Sequence, residues 1–189
     1  PEIYTLSLHD ALPIFHPGVD RYVIANSYMS SLMKALHVPD DLIRPLGIPL
    51  RRQFSHSLDK AEARTQLGLS QAPTVLIMGG GLGLGLNLDF IRSVSEALPW
   101  HQILVTAGQN KAITRELSQH PFSEKVKAMN YVENIGDYMS AADVLVTKPG
   151  GLTCSEALCR ALPMALISPI PGQEHRNATF LTDQLAAML

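Results

Sequence analysis

Only two of the 189 residues are cysteine, Cys154 and Cys159. Five positions apart and without a second pair, they build neither a zinc site nor a disulfide framework, so the sequence predicts a reducing compartment. Neither sign of charge is in excess: 15 Lys and Arg against 17 Asp and Glu leave a formal net charge of −2. A surface that tracks nucleic-acid phosphates needs clustered basic residues, so no nucleic-acid partner is expected. Long apolar runs are missing too. The longest, 161–167, is interrupted by Pro163, far short of the roughly 20 residues that a spanning helix needs. Any work at a membrane would be done from its surface. Internal repeats and low-complexity tracts are absent, which excludes solenoids and linkers.

What is present fits a globular α/β chain, with 46% hydrophobic and 17% charged residues. The length allows one full domain, or one domain and a remnant of another. The sequence opens at Pro1 without Met and reads as a piece of a longer protein. Residues 1–14, PEIYTLSLHDALPI, resemble translated sequencing-adapter read-through, and a native packed role is not expected for them. Met188 and Leu189 read as lying inside a helix.

From Asp20 the punctuation is regular. An apolar strand over 22–25 is followed by a helix capped by Asn26 or Ser27, with Met29, Leu32, Met33 and Leu36 at helical spacing. Pro45 and Pro49 make 44–50 a connector, and Asp59 and Gly68 bound a short helix. Strands are predicted over 74–78, 103–106, 126–129, 144–147 and 164–168. Helices are predicted between them over about 87–98, 111–120, 136–142 and 153–162, with a last one after Gly172. Apolar strands alternating with helices imply a Rossmann-like parallel sheet covered on both faces. Ligands of such sheets bind at the carboxyl ends of the strands, the edge that all the glycine-bearing loops share.

The first of these loops, 79–85, carries five glycines. A dinucleotide fingerprint fails there, because the required third glycine falls on Leu84 or Leu86 and the strand over 102–106 offers no acid for a ribose. A Walker A loop fails for want of Lys-Ser or Lys-Thr. What remains is a loop whose amides can approach an anion, or a flexible turn. In the second loop, Lys148-Pro-Gly-Gly-Leu-Thr-Cys-Ser-Glu156, two glycines and a hydroxyl open a helix after a strand. Free amides and the helix dipole there can hold a diphosphate, and a carboxylate one turn on can accept from ribose hydroxyls. A capping box, Thr153 with Glu156, explains the same residues. The third loop brings Gln173, Glu174 and Asn177 to the start of the last helix. Amides and carboxylates read neighbouring sugar hydroxyls, or cap helices.

These phrases carry a resemblance. HPGVDRYVIAN (16–26), GIPL (47–50), IMGGGLGLG (77–85), KPGGLTCSEAL (148–158) and ISPIPGQEHRNA (167–178) are similar to glycosyltransferase family 28. Within it, the chain most resembles the monogalactosyldiacylglycerol synthases and processive diacylglycerol glucosyltransferases. The resemblance implies a GT-B fold, two Rossmann-like domains across a cleft, of which the carboxyl-terminal one holds the UDP-sugar. Residues 49–189 would be that domain, truncated at its carboxyl end, and 15–48 a remnant of the acceptor-binding domain and linker.

Carried over by position, the resemblance places Gly81 and Gly83 by the phosphates and Gly108 in the donor cleft. The Val132 backbone would meet the uracil. Gly150, Gly151 and Thr153 would hold the diphosphate and Glu156 the ribose. Gln173 and Glu174 would bind the hexose, supported by Asn177. The catalytic base belongs to the acceptor domain, and His16 is not expected to be that base.

Transfer with inversion of glucose or galactose to diacylglycerol, by an enzyme peripheral on the cytoplasmic membrane face, is what the family implies. Charge growing on the leaving diphosphate would be met by the helix near Thr153, and Lys148 is either an added counter-charge or an ordinary surface lysine. No Asp-x-Asp pair occurs, so neither a metal nor a cofactor is expected. Two alternatives are open: a UDP-N-acetylglucosamine-dependent enzyme of cell-wall lipid synthesis, and a non-catalytic nucleotide-sugar-binding subunit. The fragment alone is expected to be inactive.

Overall fold

The computed structural model describes residues 18–188, apart from 82, 84, 121–123, 170 and 185, and omits the side chain of Gln173. Residues 1–14 and His16 lie outside the described residues.

The chain opens with a small unit: β1 (Tyr22–Val23), α1 (Ser27–Ala35) and β2 (Ile43–Arg44), the two strands pairing in parallel. Asn26 caps α1, its side chain accepting from the Met29 amide at 3.1 Å. Tyr22, Ile24, Met29, Met33, Val38 and Ile43 form a separate apolar cluster beneath it. Strand β2 corrects the reading of 44–50 as connector throughout. Pairing starts before Pro45, the first residue that has no amide to donate.

Next come α2 (Lys60–Gln66), β3 (Thr74–Met78), α3 (Leu88–Ala97), β4 (Gln102–Thr106), α4 (Lys111–Gln119) and β5 (Val126–Met129). The remainder is α5 (Ile135–Ala141), β6 (Val144–Thr147), α6 (Gly151–Cys159), β7 (Met164–Leu166), α7 (Gln173–Asp183) and β8 (Ala187–Met188). Six strands form one parallel sheet in the order β5-β4-β3-β6-β7-β8. Asp59, Asn87 and Asn110 cap the helices that follow them, each accepting an amide hydrogen bond.

Every residue of β3 is buried, and the strand's period of two explains how. Val75 and Ile77 face a cluster with Ile91 of α3 and Ile113 and Leu117 of α4. Leu76 and Met78 face the other way, toward Met139 of α5, Ala157 of α6 and Leu181 of α7. A sheet covered on both faces reads in sequence as continuous apolar runs.

At the chain end the structure corrects the predicted helix. Helix α7 stops at Asp183, and 187–188 turn back as an edge strand on β7. An apolar pair following a helix has no periodicity of its own, so only the pairing partner decides its conformation.

The sheet order fixes where a ligand can sit. From β3 the chain winds outward through β4 to β5, then returns to β6 beside β3 and winds the other way. The carboxyl ends of β3 and β6 therefore flank the topological switch point, where the crevice of a doubly wound sheet opens.

Candidate functional site

Strand β3 delivers the glycine loop 79–85 to that crevice, and β6 delivers 148–151. The first loop interlocks with the loop after β4. Gly79 donates to the Thr106 carbonyl at 3.1 Å, and Gln109 donates to Gly81 at 3.0 Å. Close approach explains the glycines. A Cβ on Gly83 (φ +64°) would stand 2.2 Å from the Ala107 oxygen. One on Gly108 (φ +54°) would stand 2.4 Å from the Gly81 oxygen. The structure thus brings Gly81, Gly83 and Gly108 into one packed ridge. Lys148 reaches this ridge from β6: its Cε lies 2.8 Å from where a Cβ on Gly85 would be.

Helix α6 starts at Gly151, with Gly150 as N-cap and no side chain capping it. This corrects the capping-box alternative. Thr153 lies inside the first turn and does not cap it, and Glu156 is another turn along, beyond reach of the cap amide. The first-turn amides of α6 have no intrahelical acceptor and no side-chain cap, and the positive end of the helix dipole lies beside Gly150 and Gly151. Asn177 of α7 holds this corner, its side-chain amide donating to the Pro149 carbonyl at 2.9 Å. A Cβ on Gly151 would lie 3.2 Å from Ile48 Cδ1, so the connector packs on the same corner.

Helix α7 is capped by Gly172 (φ +95°), again without a side-chain hydrogen bond. Glu174, half-buried in its first turn, lies close enough to α6 for its charge to act on Cys154. Burial, and then that charge, push the Cys154 thiol up to about 12.

Glu156 is the most informative side chain. Only 4% of it is exposed, and Nη2 of Arg51 donates to its Oε1 at 3.3 Å. Burial raises its carboxyl above the usual range, opposed by the charge and the hydrogen bond of Arg51. Arg51 also donates to the Tyr131 hydroxyl at 3.3 Å, next to Val132, which packs on the core below. Arg51 and Tyr131 were not singled out by the sequence reading. An arginine directly after the GIPL connector was the one available signal, and its partner lies 105 positions away.

The collected groups are backbone amides, two basic side chains, a buried carboxylate and Glu174. They suit an anion that also carries neighbouring hydroxyls. Among the described residues no three His, Cys, Asp or Glu side chains are grouped to hold a metal ion.

Known proteins give this site a context. A processive diacylglycerol beta-glucosyltransferase of Bacillus pumilus (strain SAFR-032) is 35% identical over 92% of this chain and 46% of its own length. The chain spans about half the length of the curated relatives it matches. Among solved structures, the glycotransferase of kitacinnamycin superposes with a TM-score of 0.62 at 21% identity, covering 89% of this chain and 41% of its own. MurG of Acinetobacter baumannii gives 0.57 at 19%, covering 89% and 52%. The fold is that of the carboxyl-terminal, Rossmann-like domain of a GT-B glycosyltransferase. Residues 74–189 match the family model of the glycosyltransferase family 28 C-terminal domain, and the chain belongs to that family.

Proposed function

We propose that this chain is the donor-binding half of an inverting hexosyltransferase that moves glucose or galactose from a UDP-sugar to diacylglycerol. One observation carries the reading. At the switch point, a helix start without a side-chain cap and a glycine ridge stand beside a buried carboxylate and an arginine. A nucleoside diphosphate presents phosphates and a ribose diol in that same order. The name of the Bacillus pumilus relative supports the acceptor class.

In this reading the α6 amides at Gly151 and Thr153, beside Gly150, whose own amide donates to the Lys148 carbonyl at 2.7 Å, hold the diphosphate with Gly81 and Gly83 opposite, and Lys148 adds a counter-charge. Gly108 lines the cleft, Glu156 takes the ribose hydroxyls, and Val132 meets the uracil, with Arg51 and Tyr131 closing that end. Gln173 and Glu174 bind the hexose, and Asn177 supports them through Pro149. As UDP leaves, charge grows on the diphosphate, where the fixed helix dipole already points. Neither metal nor cofactor takes part.

Residues 49–189 form the donor domain, and 15–48 belong to the acceptor-binding domain and linker. Two observations support that boundary: 22–43 pack in a cluster of their own, while Leu50 and Phe54 pack into the main core. The base that activates the acceptor hydroxyl lies on the acceptor domain. No helix among the described residues is long and apolar enough to cross a membrane, and we place the enzyme on the cytoplasmic face as a peripheral protein.

Calorimetry with UDP, with and without chelator, and an assay of sugar transfer to diacylglycerol vesicles test the proposal. UDP should bind weakly and equally in both conditions, without transfer. Glycolipid made by this chain alone would overturn the division between two domains. Absence of UDP binding would overturn the donor site.

A further inference from the structure

The nucleoside end of the site draws on three segments far apart in sequence: Arg51 after the connector, Tyr131 and Val132 after β5, and Glu156 within α6. Something must hold them in register, because the ion pair that joins them is long at 3.3 Å and Arg51 is 43% exposed. A long pair with one member half in solvent fixes little by itself.

The fixing groups stand one layer behind. Arg160, at the carboxyl end of α6, donates through Nη2 to the Gln53 carbonyl at 2.8 Å. Through Nη1 it donates to the Phe54 carbonyl at 3.3 Å. Through Nε it donates to the Gly136 carbonyl at 3.3 Å. Its guanidinium also lies over the Phe54 ring, 5.1 Å from the centroid. Gln53 completes the bracket, donating to the Glu133 carbonyl at 3.0 Å and accepting from the Gly136 amide at 3.3 Å. Gly136 permits the approach: a Cβ there would meet Arg160 Nη2 at 3.1 Å. One guanidinium fork and one carboxamide thus tie together the end of α6, the 3₁₀ turn Arg52–Ser55 that follows Arg51, and the first turn of α5. A planar fork with donors in fixed directions suits this task, and a lysine does not.

The geometry points to Arg160, with Gln53, as the positioning clamp of the nucleoside pocket: it sets Arg51 and the 131–134 loop against Glu156 without touching the ligand. The ligand itself rests on the donor reading above. The clamp would govern affinity for the nucleoside portion and leave the diphosphate corner at Gly150 alone, since that corner is held separately by Asn177.

Two readouts on the 189-residue chain test it. The first is affinity for UDP and for inorganic pyrophosphate by calorimetry. The second is the Glu156 carboxyl titration in the unliganded chain, followed by carbon-13 NMR. The ionisable groups bearing on Glu156 are Arg51 and, through it, Tyr131. Variants are Arg160→Met, Arg160→Lys and Gln53→Leu. Arg64→Met is the control, since Arg64 bonds Ala141, Gln71 and Asp143 at the amino-terminal ends of β3 and β6 and has no hydrogen bond to Gln53, Phe54 or Gly136. Arg160→Met and Gln53→Leu should each weaken UDP about tenfold, the scale of one or two lost hydrogen bonds, and change pyrophosphate by less than about twofold. The Glu156 midpoint should rise in both as Arg51 loses its seat, and Arg160→Lys should not restore either property. Arg64→Met should lower the melting temperature and move neither readout. Equal loss of UDP and pyrophosphate, or an unmoved Glu156 midpoint in Gln53→Leu, would overturn the clamp. If the unmodified chain binds neither ligand, the donor reading falls, and the midpoint still decides the clamp.

Discussion

Replacing Glu156 with Gln isolates one charge in a defined setting. The side chain is 4% exposed, and Arg51, which pairs with it, is 43% exposed. Helix capping does not confound the change, since Gly150 caps α6 through its backbone conformation alone. Glutamine keeps the volume and an acceptor oxygen for Arg51. Folding stability should therefore move by no more than about 1 kcal/mol, because a half-exposed ion pair contributes little and ionising a buried carboxyl is itself costly. Binding should respond more. Losing the charged acceptor for two ribose hydroxyls should cost about 1–3 kcal/mol, or roughly 5- to 150-fold in the UDP dissociation constant.

The pH dependence follows from the same burial. Glu156 has its carboxyl raised by burial against the opposing Arg51. Ribose hydroxyls donate to the ionised form, so UDP affinity should climb as pH rises through the raised value, while the Gln variant stays flat. Stability runs the other way. The folded chain holds this proton more tightly than the unfolded chain, so the contribution is full below the unfolded value and is lost as pH rises through the folded one. Calorimetry across pH with parallel thermal melts reads both. Unchanged UDP affinity at unchanged stability would remove Glu156 from the ribose.

Gly108→Ala forces a Cβ to within 2.4 Å of the Gly81 oxygen at φ +54°, and should cost about 2–4 kcal/mol in denaturant unfolding; an unaffected midpoint would show that the loops after β3 and β4 do not interlock. Glu174→Ala should leave UDP affinity nearly unchanged while weakening UDP-glucose about tenfold, and equal losses for both would place Glu174 away from the hexose. For Asp143, burial pushes its carboxyl up, but Lys60, the Thr74 amide and Arg64 outweigh it and hold it low. Its stabilisation is present above the unfolded value and lost as pH falls through the depressed one. Asp143→Asn should then cost about 1–2 kcal/mol at neutral pH and flatten the acid melt, a modest figure because the carboxylate is 39% exposed; an unchanged acid melt would refute this.

The alternation of apolar runs with glycine-punctuated helices was enough to specify a parallel, doubly covered sheet. A strand buried on both faces has to be apolar throughout, as 74–78 are. The loops that hold Gly81, Gly83, Gly108, Gly150 and Gly151 were legible because glycines gather after the strands there, and at Gly83 and Gly108 a positive φ and close backbone require them. Strand order was decided only in three dimensions. That β6 returns beside β3, and so places 148–151 against 79–85, depends on packing between residues some seventy positions apart. The same holds for Arg51 with Glu156, for the Arg160 clamp and for the edge strand at 187–188. Capping, too, passed to the tertiary structure: Thr153 and Glu156 fit a capping box by spacing, but α6 begins at Gly151, and Glu156 is drawn to Arg51. Spacing along one segment records local geometry, whereas a partner far away in the chain leaves no periodic trace in either sequence.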